Sequence, residues 1–211
     1  MSPPNESSAL RRAGKAPRAV ITATVVMLVV LGLDLLSKAL SFRFVTGTPV
    51  SPGSVPDHEA VSIIPYILSL KLVENRGAVF GIGQGQRLAF VLVGVVAVIV
   101  IVIAFLRSAA HRRSLHVALA MILAGALGNL YDRVMFGMVR DMFWLFPGVK
   151  LPFGWTWPGG SAELYPWVFN IADVALLAGL AILMLGVYRE DRENTKKKAR
   201  PGGSSTLGTG H

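Results

Sequence analysis

The chain has 211 residues, of which 53% are hydrophobic and 16% are charged, and its mean hydropathy is +0.55. This apolar content exceeds what a water-soluble domain of that length usually carries, so a membrane protein is expected. The absence of cysteine excludes disulfides, thiolate catalysis and cysteine-based metal sites. The four histidines show no ligand spacing, so neither a metal nor another cofactor is expected.

Four apolar segments, nearly free of charged residues, are each long enough to cross a lipid bilayer. The second, from Leu88 to Leu106, holds nineteen residues without any charge. The first is too long for the apolar core of a cleaved signal peptide and is interpreted as an uncleaved span. The sequence therefore predicts an all-α membrane protein with four transmembrane helices at about residues 19–40, 88–106, 115–135 and 166–188.

The segments between and after these spans have a different composition. Residues 41–87 and 136–165 are rich in glycine, proline and aromatic residues, which is typical of ordered loops at a membrane interface. Residues 61–82 are apolar but too short and broken to span, so a small sheet or an interfacial helix is expected there. A small extracytoplasmic subdomain of strands and loops completes the predicted fold. Residues 189–211 are polar and basic, which predicts a disordered tail.

The net charge of +9 is informative through its distribution along the chain. Thirteen of the 21 Lys and Arg lie in residues 1–18, 107–114 and 189–211, next to predicted spans. Cations in such positions mark cytoplasmic segments, so both termini are expected in the cytoplasm. The same argument makes the charge a topology signal, and no nucleic acid is expected as a partner.

Three aspartates fall inside the predicted spans, where each ionisable residue costs about 2.5 to 3.5 kcal/mol on insertion scales. They are Asp34, Asp132 and Asp173, in the first, third and fourth spans. At a helical rise of about 1.5 Å per residue, they lie about 24, about 28 and about 22 Å from the cytoplasmic ends of their spans. Three separate counts thus predict one polar site close to the outer face of the membrane.

Polar residues one helical turn away accompany the first two of these aspartates. Lys38 follows Asp34 by four residues, and the pair either lowers the cost of insertion or helps to hold the site. Asn129, Asp132 and Arg133 can address one face near the end of the third span. An aspartate next to an arginine at this depth can also be purely structural, so both interpretations remain open.

The fourth span carries Asn170 and Asp173 one turn apart, and no basic residue within a turn neutralises this acid. Asp141 is a further acid near the outer interface, and alone it would be an ordinary loop carboxylate. Peptide hydrolysis by two acids requires an ionised one to take a proton from water and a protonated one to polarise the carbonyl. Asp132 and Asp141 both remain candidates for the acid that works with Asp173.

A serine–lysine mechanism is the chief chemical alternative. Ser37 and Lys38 are adjacent, so on a helix their side chains diverge by about 100° and do not face each other. Ser69 and Lys71 would share a face only in a strand, which makes them a weak candidate pair.

Five short motifs occur in order along the four spans: LDLLSK in the first span, NRGAVFG at 75–81, GALGNLYDR at 125–133, VRDMF at 139–143 and FNIAD at 169–173. In order and spacing they resemble the lipoprotein signal peptidase family, also called signal peptidase II or prolipoprotein signal peptidase. The resemblance runs from about residue 20 to 188 and covers nearly all of the predicted membrane domain.

This resemblance implies an intramembrane aspartyl endopeptidase of the bacterial cytoplasmic membrane, expected as a monomer without a cofactor and with its site near the outer face. The implied substrate is a diacylglyceryl-modified prolipoprotein, cut just before its lipidated cysteine amid membrane lipids. The motifs VRDMF and FNIAD supply the implied catalytic pair, Asp141 and Asp173. The residues implied to shape or orient the site are Asp34, Lys38, Asn75, Gly77, Asn129, Arg133 and Asn170, with Asp132 competing with Asp141 for the second catalytic place.

One departure and two rival classes accompany the resemblance. Asp173 follows Asp141 by 32 positions, and the Trp-, Pro- and Gly-rich segment between them is longer than the resemblance implies, so the path of this loop stays open. A transporter or proton-relay subunit could use the same acids, but it should show midplane sites and repeats, which this sequence lacks. A non-catalytic assembly factor would not require two acids at one depth.

Overall fold

The computed structural model describes residues 12–47, 55, 58–77 and 85–199. Four long helices form most of this part of the chain. Each is long and apolar enough to cross a membrane, as the sequence predicts. They are α1 (Pro17–Thr46), α2 (Arg87–Arg107), α3 (Arg113–Phe136) and α4 (Ile171–Ala199).

The surface of the helices is that of a protein surrounded by lipid. Helix α2 has no buried residue, and its apolar side chains point outward, with Leu88 71% exposed and Val93 65% exposed. A helix that is apolar all round and still exposed is stable only when hydrocarbon surrounds it. The chain is therefore a multi-pass membrane protein.

Helix α3 is the centre of the bundle and packs against the other three helices. Two of its glycines allow this close approach. A Cβ at Gly125 would overlap the carbonyl oxygen of Ala172 in α4, and a Cβ at Gly128 would overlap Oδ2 of Asp34 in α1. Small residues let membrane helices approach each other in this way. They bring α1 and α4 together at the level of the buried acids.

The ends of the helices show which parts of the chain share one side. The backbone N–H of Ala13 donates to the carbonyl of Ser108 in the α2–α3 connection at 2.8 Å. Arg112 in the same connection forms an ion pair with Glu190 of α4. The start of α1, the α2–α3 connection and the far end of α4 therefore meet at one end of the bundle.

A four-stranded antiparallel sheet lies at the opposite end. Its strands are β1 (Val61–Ile64), β2 (Leu68–Asn75), β3 (Val139–Leu145) and β4 (Val168–Phe169), in the order β1-β2-β3-β4. The sheet confirms the predicted subdomain of strands and loops. It packs on α1 through a core in which every side chain is at least nine-tenths buried: Phe42, Leu70, Leu72 and Met142.

The observed bounds refine the predicted ones. Helix α1 continues to Thr46, beyond residue 40, and α4 begins at Ile171, five residues after 166, because residues 168–169 are taken into the sheet. The expected disorder from residue 189 is wrong as far as Ala199, since α4 continues to that residue. Its sequence there, REDRENTKKKA, consists mostly of good helix formers and carries charges of both signs, and such residues can continue a helix after the apolar part ends.

Some predictions fall on parts of the chain that are not described. Residues 1–11 and 200–211, which carry part of the basic termini, lie outside the described residues. So do Pro49, Pro52 and Pro56 of the first outer segment, and residues 78–82 at the end of its predicted apolar region. Within residues 61–77, the sheet and not the interfacial helix is the observed alternative.

Candidate active site

The turn from α3 into β3 places Arg140 and Asp141 at the sheet end of the bundle. Gly137, with a left-handed φ of 76°, lets α3 end and β3 start two residues later. Asp132 of α3 accepts three hydrogen bonds from Arg140: Oδ2 from the backbone N–H at 3.0 Å, and Oδ1 from Nε at 3.1 Å and Nη2 at 2.7 Å. This fork fixes the start of β3 against α3 and so sets the position of Asp141.

A second cation, Lys38 of α1, joins Asp132 to Asp34. Its Nζ lies 2.8 Å from Oδ2 of Asp34 and 3.1 Å from Oδ2 of Asp132, and it donates to Oδ1 of Asn129 at 3.2 Å. All three charged side chains are fully buried. Buried charges are stable only when they are paired, so each of the three depends on the others. The predicted Asp34–Lys38 pair is present and belongs to a larger network.

Helix α4 begins with a reciprocal cap. Oδ1 of Asn170 accepts the backbone N–H of Asp173 at 3.0 Å, and Oδ2 of Asp173 accepts the backbone N–H of Asn170 at 3.2 Å. This is a capping box, which requires the three-residue spacing that the sequence shows. In the same first turn, the N–H of Ala172 donates to Oδ1 of Asp34 at 2.8 Å. The cap starts the helix and orients the Asp173 carboxylate.

Asn170 also links Asp173 to Asp141. Its Nδ2 donates to Oδ1 of Asp141 at 2.6 Å, while its backbone N–H donates to Asp173. Each acid has one further amide donor: Nδ2 of Asn75 lies 3.0 Å from Oδ2 of Asp141, and Nδ2 of Asn129 lies 2.9 Å from Oδ1 of Asp173. Three asparagines thus hold the two carboxylates at one site.

The Asp141 carboxyl, in β3 outside the spanning helices, is only 2% exposed. Burial first, and then the charge of Asp173, raise the pKa of Asp141 to about 7, although the hydrogen bonds from Asn75 and Asn170 oppose the rise. Near neutral pH this carboxyl therefore exists in both protonation states. An acid that keeps its proton close to pH 7 can donate it to a reacting group.

Two further residues, Tyr165 and Arg133, interact with the groups of the site. Burial and the charge of Asp173 together raise the pKa of Tyr165, which lies in the loop before β4. Arg133 of α3 donates from Nη2 to the carbonyl of Gly77 at 3.1 Å and from Nη1 to the carbonyl of Asn129 at 3.3 Å. The N–H of Gly77 in turn donates to Oδ1 of Asn75 at 3.1 Å. Arg133 thereby supports the asparagine that contacts Asp141.

The structure brings all ten predicted site residues into one connected network of hydrogen bonds and ion pairs. The sequence reasoning missed Arg140, which is 5% exposed and carries most of the contacts of Asp132. Its signal was its place inside the VRDMF motif, directly before Asp141. Residues 78–81 of the NRGAVFG motif lie outside the described residues.

The fold is similar to that of solved bacterial membrane enzymes. Two solved structures, each titled as a bacterial membrane enzyme determined by the in meso method, are similar to this chain. The first has a TM-score of 0.63 at 25% identity and covers 86% of this chain and 94% of its own. The second has a TM-score of 0.59 at 26% identity and covers 79% of this chain and 92% of its own.

The family is shown by sequence. The model of the family described as signal peptidase (SPase) II matches residues 26–189. A lipoprotein signal peptidase of Halalkalibacterium halodurans is 36% identical over 140 residues, which are 66% of this chain and 81% of that protein. One of Brevibacillus brevis is 34% identical over 64% of this chain and 80% of that protein, and one of Staphylococcus aureus is 31% identical over 66% and 77%. The chain belongs to the signal peptidase II family and is a membrane peptidase, not a transporter.

Proposed function

We propose that this chain is an intramembrane aspartyl endopeptidase that removes the signal peptide from diacylglyceryl-modified prolipoproteins by cutting before the lipidated cysteine. Its relatives are named lipoprotein signal peptidases. The observation that carries the aspartyl mechanism is the pair of carboxylates, Asp141 and Asp173, that share Asn170 as a hydrogen-bond donor. Aspartyl hydrolysis needs two such acids at one site.

The two acids divide the work according to their surroundings. The raised pKa of Asp141, about 7, suits it to donate a proton to the carbonyl oxygen of the scissile bond. Asp173 takes a proton from the attacking water, whose oxygen bonds to the carbonyl carbon. The tetrahedral intermediate then collapses as the C–N bond breaks, and the leaving amine receives the proton that Asp173 had taken. One hydroxyl of the intermediate returns its proton to Asp141 as the new carboxyl group forms, so both acids regain their starting states. The asparagines keep both carboxylates oriented, which lowers the cost of reaching the transition state.

The contacts of Asp132 support Asp141 as the second acid. Both oxygens of Asp132 are engaged by Arg140 and Lys38, and its side chain is fully buried. Each oxygen of this carboxylate already has two polar contacts, so no acceptor site is left for water. Asp132 instead acts as the support that fixes β3, and therefore Asp141, against α3.

The serine–lysine alternative has little support in the geometry. The hydroxyl of Ser37 donates to the backbone carbonyl of Asp34 at 2.9 Å, while Lys38 Nζ is directed to two aspartates. In the other pair, Ser69 is buried and the ammonium of Lys71 lies 4.5 Å above the ring of Trp144. Neither lysine is placed to take a proton from its serine.

The site is placed near the outer face of the cytoplasmic membrane, with both termini in the cytoplasm. The charge distribution supports this orientation, because Arg12, Arg107 and Arg112 gather where the start of α1 and the α2–α3 connection meet. The acid network and the sheet lie at the other end of the same helices. A substrate whose signal helix and acyl chains remain in lipid could present its cleavage site at that level.

The test is cleavage of a lipidated prolipoprotein by the purified protein and its Asp→Asn variants, measured per correctly folded molecule. Asp141→Asn and Asp173→Asn should each remove nearly all turnover, while substrate binding persists because acyl chains and an apolar helix supply most of it. The double variant should be hardly worse than either single one. Asp132→Asn is the matched control and should lose stability before it loses turnover. Near-normal turnover of Asp141→Asn together with its loss in Asp132→Asn would reverse the choice of the second acid.

A further inference from the structure

The loop between β3 and β4 forms a second hairpin that extends beyond the sheet. The N–H of Leu151 donates to the carbonyl of Ala162, and the N–H of Leu164 donates to the carbonyl of Val149, both at 2.7 Å. Beyond the Leu151–Ala162 pair, the N–H of Trp157 donates to the carbonyl of Ser161 at 2.8 Å. We call residues 149–164 the outer hairpin, and residues 152–161, which lie beyond the Leu151–Ala162 hydrogen bond, its tip. Much of its backbone is already hydrogen-bonded internally, which lowers the cost of leaving water.

The tip of the outer hairpin exposes two aromatic rings. Phe153 is 88% exposed and Trp155 is 66% exposed, and their ring centroids lie 6.1 Å apart. Phe153 has a φ of 60°, a left-handed conformation that is strained for an aromatic residue. The chain thus accepts backbone strain at the residue whose ring is directed outward.

The part of the outer hairpin beyond its base contains no charged residue. The twelve residues from Leu151 to Ala162 contain no Asp, Glu, Lys or Arg. The nearest charges, Lys150 and Glu163, face each other across the base of the hairpin. Uncharged tips with Phe and Trp are disfavoured in bulk water, whereas aromatic side chains of this kind concentrate at the boundary between lipid and water.

The outer hairpin packs against the segment that leads into α4. The ring of Trp157 packs against the ring of Trp167 at 4.7 Å between centroids. Trp167 precedes the first residue of the spanning helix α4 by four positions, so its Cα lies within about 14 Å of that helix. Trp155 is two residues from Trp157 and so within about 7 Å of it. The exposed rings are therefore within reach of the surface that surrounds the helices.

We propose that the tip of the outer hairpin, Phe153 and Trp155, inserts into the headgroup region of the lipid bilayer around the sheet end of the bundle and anchors the loop that connects Asp141 to Asp173. The partner is the lipid surface itself, because the tip offers aromatic rings without charge and lies within reach of the surface that surrounds the helices. The insertion needs no substrate, so it can be tested independently of the peptidase activity.

The test uses the absence of cysteine from the chain, which makes a single introduced cysteine the only site of labelling. Phe153→Cys carries a nitroxide label, and the protein is studied in lipid nanodiscs without substrate. Oxygen, which concentrates in lipid, should relax the label several-fold more effectively than a water-soluble nickel complex. Val96→Cys on the exposed face of α2 is the lipid reference, and Arg192→Cys, in the polar part of α4, is the aqueous reference.

A second measurement does not depend on the label. Brominated lipids should quench part of the tryptophan fluorescence of the unmodified chain, and Trp155→Phe should lose that part. Greater access of the nickel complex than of oxygen at residue 153, or equal quenching of both proteins, would overturn the proposal. Protection that arises only after a lipidated substrate is added would also overturn it, because the tip would then be a substrate contact.

Discussion

The contact between α1 and α3 allows a sharp test of how the acid network is held. A Cβ at Gly128 would overlap Oδ2 of Asp34, the atom that pairs with Lys38. Gly128→Ala must therefore displace the Asp34 carboxylate or push the helices apart. Overpacking of this kind costs about 1 to 3 kcal/mol, and a lost charge-assisted hydrogen bond costs about 1.5 to 3 kcal/mol. We expect Gly128→Ala to lower the free energy of unfolding by about 3 to 5 kcal/mol.

The matched control is Gly32→Ala on the same helix as Asp34. An added Cβ at Gly32 meets no atom within 4 Å, and alanine favours a helix over glycine by about 1 kcal/mol. In thermal unfolding in detergent, the melting temperature of Gly128→Ala should be lower than that of the unmodified chain by about 10 °C. The melting temperature of Gly32→Ala should be unchanged or slightly raised. Turnover per folded molecule should fall as well in Gly128→Ala, because Asp34 holds the first turn of α4 through Ala172. Equal melting of the two variants with full turnover would refute the described packing of Asp34.

Three further outcomes are expected. Lys38→Met should destabilise the protein by about 3 to 5 kcal/mol in thermal unfolding, because it leaves two buried aspartates without their shared cation, and a stability equal to that of the unmodified chain would contradict the network. The pKa of Asp141 is raised from 3.8 to about 7, so the folded protein holds this proton more tightly than the unfolded chain, and the stability of the protein should fall from about pH 4 to about pH 7. The value of kcat/KM should decline above about pH 7 because the proton donor is lost. A flat profile of kcat/KM from pH 6 to 8.5 would argue against Asp141 as the donor. In intact cells, a cysteine at Arg76 should react with an impermeant thiol reagent and one at Arg192 should not, and the reverse pattern would invert the proposed topology.

Much of the fold was predictable because a lipid solvent leaves few choices. A segment of about 20 apolar residues must be helical in a bilayer, since only a helix satisfies its own backbone there. Composition alone therefore locates the four spans, and it places the ends of α2 and α3 within two residues of the observed ones. The four-residue spacing likewise predicts the Asp34–Lys38 pair. The spacing of Asn170 and Asp173 predicts only that they lie one turn apart, and the structure shows that they cap the start of α4.

Some local predictions were wrong because they rested on the average composition of a segment and did not take its helix propensity or its strand partners into account. The residues after Tyr188 lack a hydrophobic face, yet most of them are good helix formers, and α4 continues to Ala199. Residues 166–170 are apolar enough to begin a span, but Val168 and Phe169 pair with β3 instead. The edge of an existing sheet offers them backbone partners, which a sliding count of hydropathy does not include.

The sequence by itself determined which residues of the spans are costly to bury, because a charge in a span is expensive wherever it lies. Only the tertiary structure decided how these charges are paired. Asp132 and Asp141 have similar depths and similar neighbours along the chain, but the fork from Arg140 takes both oxygens of Asp132, while Asn170 and Asn75 bring Asp141 to the site of Asp173. The reason is physical: burial depends on local composition, whereas the partner of a buried charge depends on which of several nearby groups the packing of distant helices brings within about 3 Å.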